Sequence, residues 1–173
     1  METDARNLEP RTLTRILEEF IPFNRFLGVR TLELGDGLAR LEMPFRPELV
    51  GNPLRRALHG GVVSMLLDST GGAAVWTQIR RDDLPSTIDL RVDYLRPARA
   101  EVLVGQGRVV RLGNRVGVVE LRAYHPGDEA RPVAAGMGVY SIWRANGKDD
   151  AGPWRRALAE LEASPPRPDA AVR

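Results

Sequence analysis

The sequence predicts an α+β domain in which an antiparallel sheet wraps around one long central helix, with an extra N-terminal helix and a C-terminal tail. Three observations carry that reading. Leu58 to Trp76, LHGGVVSMLLDSTGGAAVW, is an apolar run of helical length whose single formally charged residue is Asp68. A helix that is apolar on nearly every face is normally a buried one. Two strand-like stretches flank Gly35-Asp36-Gly37 before it, and four more follow it without another long helix. Strands segregated around a single apolar helix favour an antiparallel sheet packed on that helix.

Each element has its own warrant. Leu13, Ile16, Leu17 and Phe20 give Thr12 to Phe20 the spacing of an amphipathic helix, which Pro22 stops. Phe23, Phe26 and Leu27 form a short apolar segment ending at Gly28. Val29 to Leu34 and Leu38 to Pro44 read as a hairpin, with Ala39, Leu41 and Met43 alternating against Arg40 and Glu42. Residues 46–57, RPELVGNPLRRA, show no period and read as a loop. The central helix is expected from about Gly60 to Ile79, followed by a charged turn, Arg80 to Leu84, closed by Pro85. Ser86 to Leu95 alternates Ile88, Leu90, Val92 and Tyr94 against Thr87, Asp89, Arg91 and Asp93. Glu101 to Leu112, Arg115 to His125 and Pro132 to Trp143 complete the strands, with turns at Gly113-Asn114 and Pro126-Gly127-Asp128. Trp154, Leu158 and Leu161 mark one face of a short helix in an appendage from Asp149, and SPPRPDAAVR after it reads as disordered. The expected division is 1–27, 28–145 and 146–173.

Composition excludes several functions. The chain has no cysteine, which removes disulfides, thiolate catalysis and cysteine metal sites. His59 and His125 are the only histidines, so no metal site is expected. The 25 basic and 23 acidic residues nearly balance, and no basic block is dense enough to suggest a nucleic-acid partner. The polar, acidic start METDARNLEP does not read as a signal peptide, and no apolar window is long enough to span a membrane. A cytoplasmic protein without a membrane partner is the expectation.

The chemistry concentrates on the apolar run. A buried carboxylate is costly unless it is paired, hydrogen-bonded or used, which marks Asp68. Gly60-Gly61 leaves bare N–H groups at the helix start, where the helix dipole favours negative charge. Asn52 lies in the loop entering this step. The plain readings are a satisfied structural Asp68, a helix-entry His59, a turn residue at Asn52, a strand-favouring Thr87, a turn histidine at His125, and solvated surface at Arg55-Arg56, Arg80-Arg81 and Arg155-Arg156.

HGGVVSMLLDSTGG followed by STIDLRVDYLRPA resembles the hotdog-fold acyl-CoA thioesterases of the phenylacetate-degradation (PaaI-like) family, over roughly Gly28 to Trp143. The resemblance implies a sheet curled around the central helix and a homodimer joined edge to edge, which pairs again into a homotetramer in some members. It implies acyl-CoA as substrate, with no metal and no cofactor, coenzyme A being part of the substrate. The family's carbonyl-polarising glycine falls on Gly60 and its catalytic carboxylate on Asp68. A loop asparagine falls on Pro53, which makes Asn52 the counterpart after a one-residue insertion. The water-orienting hydroxyl falls on Thr87, or on Ser86 if the turn is one residue shorter. His59 has a structural or carbonyl-orienting place, and Gly61 accompanies Gly60. Met65, with Phe20, Phe23 and Phe26, is a candidate for the acyl pocket, and Arg96 and Arg99 for the CoA phosphates.

Eight residues of helix span about 12 Å, so Gly60 and Asp68 of one chain cannot both reach one carbonyl carbon. A shared site then needs Gly60 from one subunit and Asp68 from its partner. The expected reaction is hydrolysis of an acyl-CoA, with medium- or long-chain aliphatic acyl groups favoured by the apolar N-terminal segment, and with Asp68 as general base or as nucleophile. Two alternatives stand beside it: a non-catalytic acyl-CoA binding or regulatory protein, and a hydratase or dehydratase acting on enoyl or hydroxyacyl thioesters.

Overall fold

The computed structural model describes residues 7–145 and 151–166. Pro10 opens helix α1, Pro10–Arg15, at a position where its missing N–H costs nothing. The helix continues as a π-type turn, Ile16–Phe20, and ends at Ile21, held extended ahead of Pro22. Pro22 also begins a second helix, α2, Pro22–Leu27, capped by Gly28 at φ 71°. Pro22 is therefore more than the expected stop, because a proline that ends one helix is equally suited to the first position of the next.

Strands β1, Arg30–Gly35, and β2, Leu38–Met43, form the expected hairpin. Asp36 (φ 48°) and Gly37 (φ 77°) both adopt the left-handed conformation that a tight two-residue turn requires. The expected loop is more ordered than its sequence suggests. It holds a 3₁₀ turn at Pro47–Leu49 and a small hairpin of β3, Val50–Asn52, with β4, Ala57–Leu58. Strands this short leave no visible alternation.

Helix α3, Gly60–Trp76, stops three residues before the expected end. It is followed by β5, Leu84–Tyr94; β6, Leu103–Leu112; β7, Val116–Tyr124; and β8, Ala134–Trp143. These four, with β1 and β2, make a six-stranded antiparallel sheet in the order β1-β2-β6-β7-β8-β5. Leu84 and Pro85, expected in the preceding turn, belong to β5. The strand lies at the sheet edge, where a proline without a ladder N–H is tolerated.

The sheet curls around α3 through three bulges. Registers slip between Thr31 and Glu33, between Thr87 and Asp89, and between Val109 and Arg111. The extra residues are Leu32, Ile88 and Val110, all exposed apolar side chains. A bulge raises local twist and bends its strand, which lets the sheet enclose a helix. Along α3, Val63, Leu66, Leu67, Ala73, Ala74 and Val75 turn to the sheet and are buried. Each large aliphatic side chain so buried contributes about 1.5–3 kcal/mol. The helix sits close to β6: a Cβ added at Gly105 would lie 2.6 Å from the Thr70 hydroxyl oxygen.

The N-terminal and C-terminal helical segments pack on this core. Leu13, Ile16, Leu17 and Leu27 share the central apolar cluster with Leu158 of α4, Gly152–Ala163. Trp154 of α4 stacks on Trp76 with centroids 5.8 Å apart, and Phe20 meets Trp154 edge-on. Arg81 pairs with Glu162 at 2.6 Å and Arg155 with Asp82 at 2.8 Å. Two of the arginine pairs expected to be solvated surface therefore supply clamps for α4. A buried Asp83 accepts from Arg144, Arg80 and the Ala145 N–H. Burial opposes its charge, but these three donors outweigh it and hold the carboxyl below its ordinary range. The part of the expected disordered tail that follows residue 166 lies outside the described residues.

Candidate active site

The half-buried face of α3 carries Met65, Asp68 and Gly72, with Gly61 exposed at its start. On one side of this face runs β5. Thr87 donates its hydroxyl to Asp68 Oδ1 at 2.8 Å, while Oδ2 has no hydrogen-bond partner among the described residues. Strict alternation would turn Thr87 away from the helix. The Ile88 bulge reverses this: Thr87 pairs with Tyr140 and Leu90 with Gly138, so all four share the helix-facing side. Ser86 pairs with Ser141, and its carbonyl accepts the Ser141 hydroxyl at 3.1 Å, on the face away from Asp68. The hydroxyl beside the carboxylate is therefore Thr87 and not Ser86.

Tyr140 supports the same turn from below. It is fully buried, and its hydroxyl donates to the Asp68 carbonyl at 3.2 Å. Burial, and after it the nearby Asp68 charge, push this phenol above its ordinary range, so it stays a donor. On the other side of the open face, Ser69 donates to Asn24 Oδ1 at 3.0 Å and lies 3.4 Å from Met65 Sδ. Helix α2 thus flanks the Asp68 turn, with Phe23 and Phe26 exposed beside each other.

The start of α3 is held as firmly. His59 is the N-cap: its Nδ1 accepts the Gly61 N–H at 2.9 Å, which places any ring proton on Nε2. Its own N–H donates to the Leu49 carbonyl at 2.8 Å. The Gly60 N–H, first of the helix, has no partner among the described residues. Gly60 lines a groove of about 480 Å³ together with Asn52, Arg55, Tyr94 and Arg96, among others. Asn52 is there, but its Oδ1 accepts the Arg55 N–H at 3.0 Å and so closes the turn between β3 and β4.

Arg99 does not line the groove. It pairs with Glu101 at 2.9 Å and with Asp128. His125, read from sequence as a turn residue, is buried and locks this loop. It accepts the Arg99 N–H on Nε2 and hydrogen-bonds the Val102 carbonyl through Nδ1. Sequence alone does not single out Tyr94 and Arg55, which line the groove, or Tyr140, which supports the Asp68 turn from below. Among the described residues no three His, Asp or Glu side chains gather as metal ligands would, and no helix is long and apolar enough to cross a membrane.

A free helix-start N–H and an oriented carboxylate on one helix suit polarisation of a carbonyl and delivery of water or a nucleophile to it. Residues 56–131, which include both groups and Thr87, match the thioesterase superfamily model. The medium/long-chain acyl-CoA thioesterase YigI of Escherichia coli is 33% identical over 135 residues, covering 70% of this chain and 86% of its own. The chain belongs to the thioesterase superfamily. Another relative of this thioesterase, from Halobacterium salinarum and provisionally named an esterase, is 39% identical over 126 residues, covering 69% of the present chain and 83% of that one. The solved structure of a Shewanella oneidensis protein related to the same superfamily superposes with a TM-score of 0.66 at 30% identity, covering 79% of this chain and all of that one. The sheet wrapped on α3 is the hotdog fold of these thioesterases.

Proposed function

We propose that this thioesterase hydrolyses acyl-CoA to free acid and CoA, at a site that two copies of the chain build together. The observation that carries this reading is the hydrogen bond from Thr87 to Asp68 Oδ1, which orients the carboxylate while leaving Oδ2 available. Gly60 and Asp68 are eight residues apart on one helix, about 12 Å, which is too far for one carbonyl carbon. A two-fold pairing brings Gly60 of one subunit to Asp68 of the other. The exposed edge strand β5, which carries Thr87 and Tyr94, is the natural seam.

In that site the Gly60 N–H, helped by the α3 dipole, stabilises charge growing on the thioester oxygen. Asp68 as base takes a proton from water, the hydroxide adds to the carbonyl carbon, and collapse expels the CoA thiolate, which recovers a proton. Asp68 as nucleophile would instead add to the carbonyl carbon and expel the CoA thiolate, leaving a mixed anhydride that water opens. Rapid-quench detection of an acyl group carried on Asp68 during a single turnover separates the two. Arg55 and Arg96 at the groove suit the phosphates of CoA.

Medium- or long-chain aliphatic acyl groups are the proposed substrates. Met65, α2 and its phenylalanines offer an apolar wall beside Asp68, and the YigI relative is named for the same chain lengths. Thiol release measured across acyl-CoAs of rising length tests reaction and substrate together. The reading predicts release that rises from short to medium chains and collapses in Asp68→Asn. Full activity of Asp68→Asn would overturn it, as would tight acyl-CoA binding with no thiol released.

A further inference from the structure

We propose that Tyr94 is a positioning residue for carbonyl polarisation, holding the Gly60–Gly61 peptide so that the Gly60 N–H stays aimed into the groove. This inference rests on the thioesterase reading above. A helix start is inherently loose, because its first N–H groups have no acceptor within the helix. Two successive glycines add backbone freedom at that point. A donor that must meet a developing oxyanion therefore needs outside support, since its value lies in being fixed before the charge appears.

Tyr94 supplies that support from the last position of β5. Its hydroxyl donates to the Gly60 carbonyl oxygen at 2.8 Å and lies 2.5 Å from the Ser64 hydroxyl. Ser64 also reaches the Gly60 carbonyl, at 3.2 Å. The ring packs on Gly60 so closely that an added Cβ would lie 3.3 Å from its Cζ and from its oxygen. The N–H end of the same peptide is held by His59 Nδ1 at 2.9 Å. One peptide is thus pinned at both ends, by Tyr94 on its oxygen and by His59 on its nitrogen. Among the described residues the neighbouring Gly60 N–H is left without a protein partner. Tyr94 also lines the groove beside Gly60.

Tyr94→Phe keeps the ring and the groove wall and deletes only the donor. It should lower kcat about tenfold to a hundredfold, as small misplacements of a catalytic group do, with KM and thermal midpoint unchanged. Ser64→Ala added to Tyr94→Phe should cost less than the product of the two single effects, because both hydroxyls serve one carbonyl. The second readout is the infrared carbonyl stretch of a bound acyl-CoA analogue in which a methylene replaces the thioester sulfur. It should move back toward its value in water in Tyr94→Phe. A wild-type kcat with a wild-type carbonyl stretch would overturn the proposal. So would a kcat loss that follows a lowered thermal midpoint while the stretch stays put. A wild-type protein that releases no thiol refutes the thioesterase reading itself, and the role of Tyr94 with it.

Discussion

Replacing Thr87 with valine removes a single hydroxyl and keeps the branched shape that suits β5. In the structure this hydroxyl is the donor to Asp68 Oδ1, at 2.8 Å. A hydrogen bond to a charged group contributes about 1.5–3 kcal/mol. Thr87 is exposed in the single chain, so the lower end is the conservative figure. About 1.5 kcal/mol of lost orientation is roughly a tenfold fall in kcat. Stability of the single chain should hardly change, because the side chain buries little within its own subunit. Thr87→Ser retains the donor and should keep most of the activity. The assay is release of CoA thiol under saturating medium-chain acyl-CoA, with urea unfolding as the stability control. If Thr87→Val turns over at the wild-type rate, or if Thr87→Ser is as slow as Thr87→Val, the hydroxyl does not orient the catalytic carboxylate.

Two further expectations concern the frame of the site. Asp83 has no exposed side-chain surface and joins Arg144, Arg80 and Ala145; Asp83→Asn should cost on the order of 3 kcal/mol in urea unfolding, the lower end for a broken buried pair, since Arg80 reaches solvent. The folded carboxyl lies below its unfolded value, so its contribution is complete above about pH 4 and is lost as pH falls through the lowered folded value. Unfolding midpoints followed from neutral pH downward should show that loss in the wild type and not in Asp83→Asn. Gly71→Ala would place a methyl over the Tyr140 phenol, 2.7 Å from Cζ, where the ring is buried and cannot retreat. It should destabilise by about 1–3 kcal/mol and lower kcat as well, because Tyr140 holds the Asp68 turn. Calorimetry with thiol release on the same preparation measures both.

Much of this arrangement was legible in the sequence because the decisive signals are local. The apolar run with one carboxylate identifies α3, Asp36-Gly37 identifies the hairpin turn, and His59-Gly60-Gly61 identifies the helix start. Hidden features depend on tertiary context. A period of two along Ser86 to Leu95 puts Thr87 and Tyr94 on opposite faces. The bulge at Ile88 puts both against α3, and no residue type there announces a bulge. Helix α2 was hidden because Pro22 stops and starts helices alike. The small hairpin before His59 rests on partners rather than propensity: its backbone donates to Ala98 and its neighbour His59 to Leu49. Arg81 and Arg155 looked like surface because their acidic partners, Glu162 and Asp82, are 81 and 73 residues away. His125 looked like a turn residue for the same reason, since its partners are Arg99 and Val102.

If Gly60 and Asp68 serve one site from different subunits, mixing the subunits reveals it. Gly60→Pro deletes the N–H at a helix position that accepts proline, next to a His59 already in the extended conformation proline requires of its predecessor. A Cβ there would lie 3.3 Å from the Tyr94 ring. Asp68→Asn deletes the carboxylate charge. Each variant alone should be nearly inactive. Denatured together in equal amounts and refolded, they should recover about a quarter of wild-type activity, because half of the dimers are mixed and each of those holds one intact site of two. A mixture no more active than its parents would contradict the shared site.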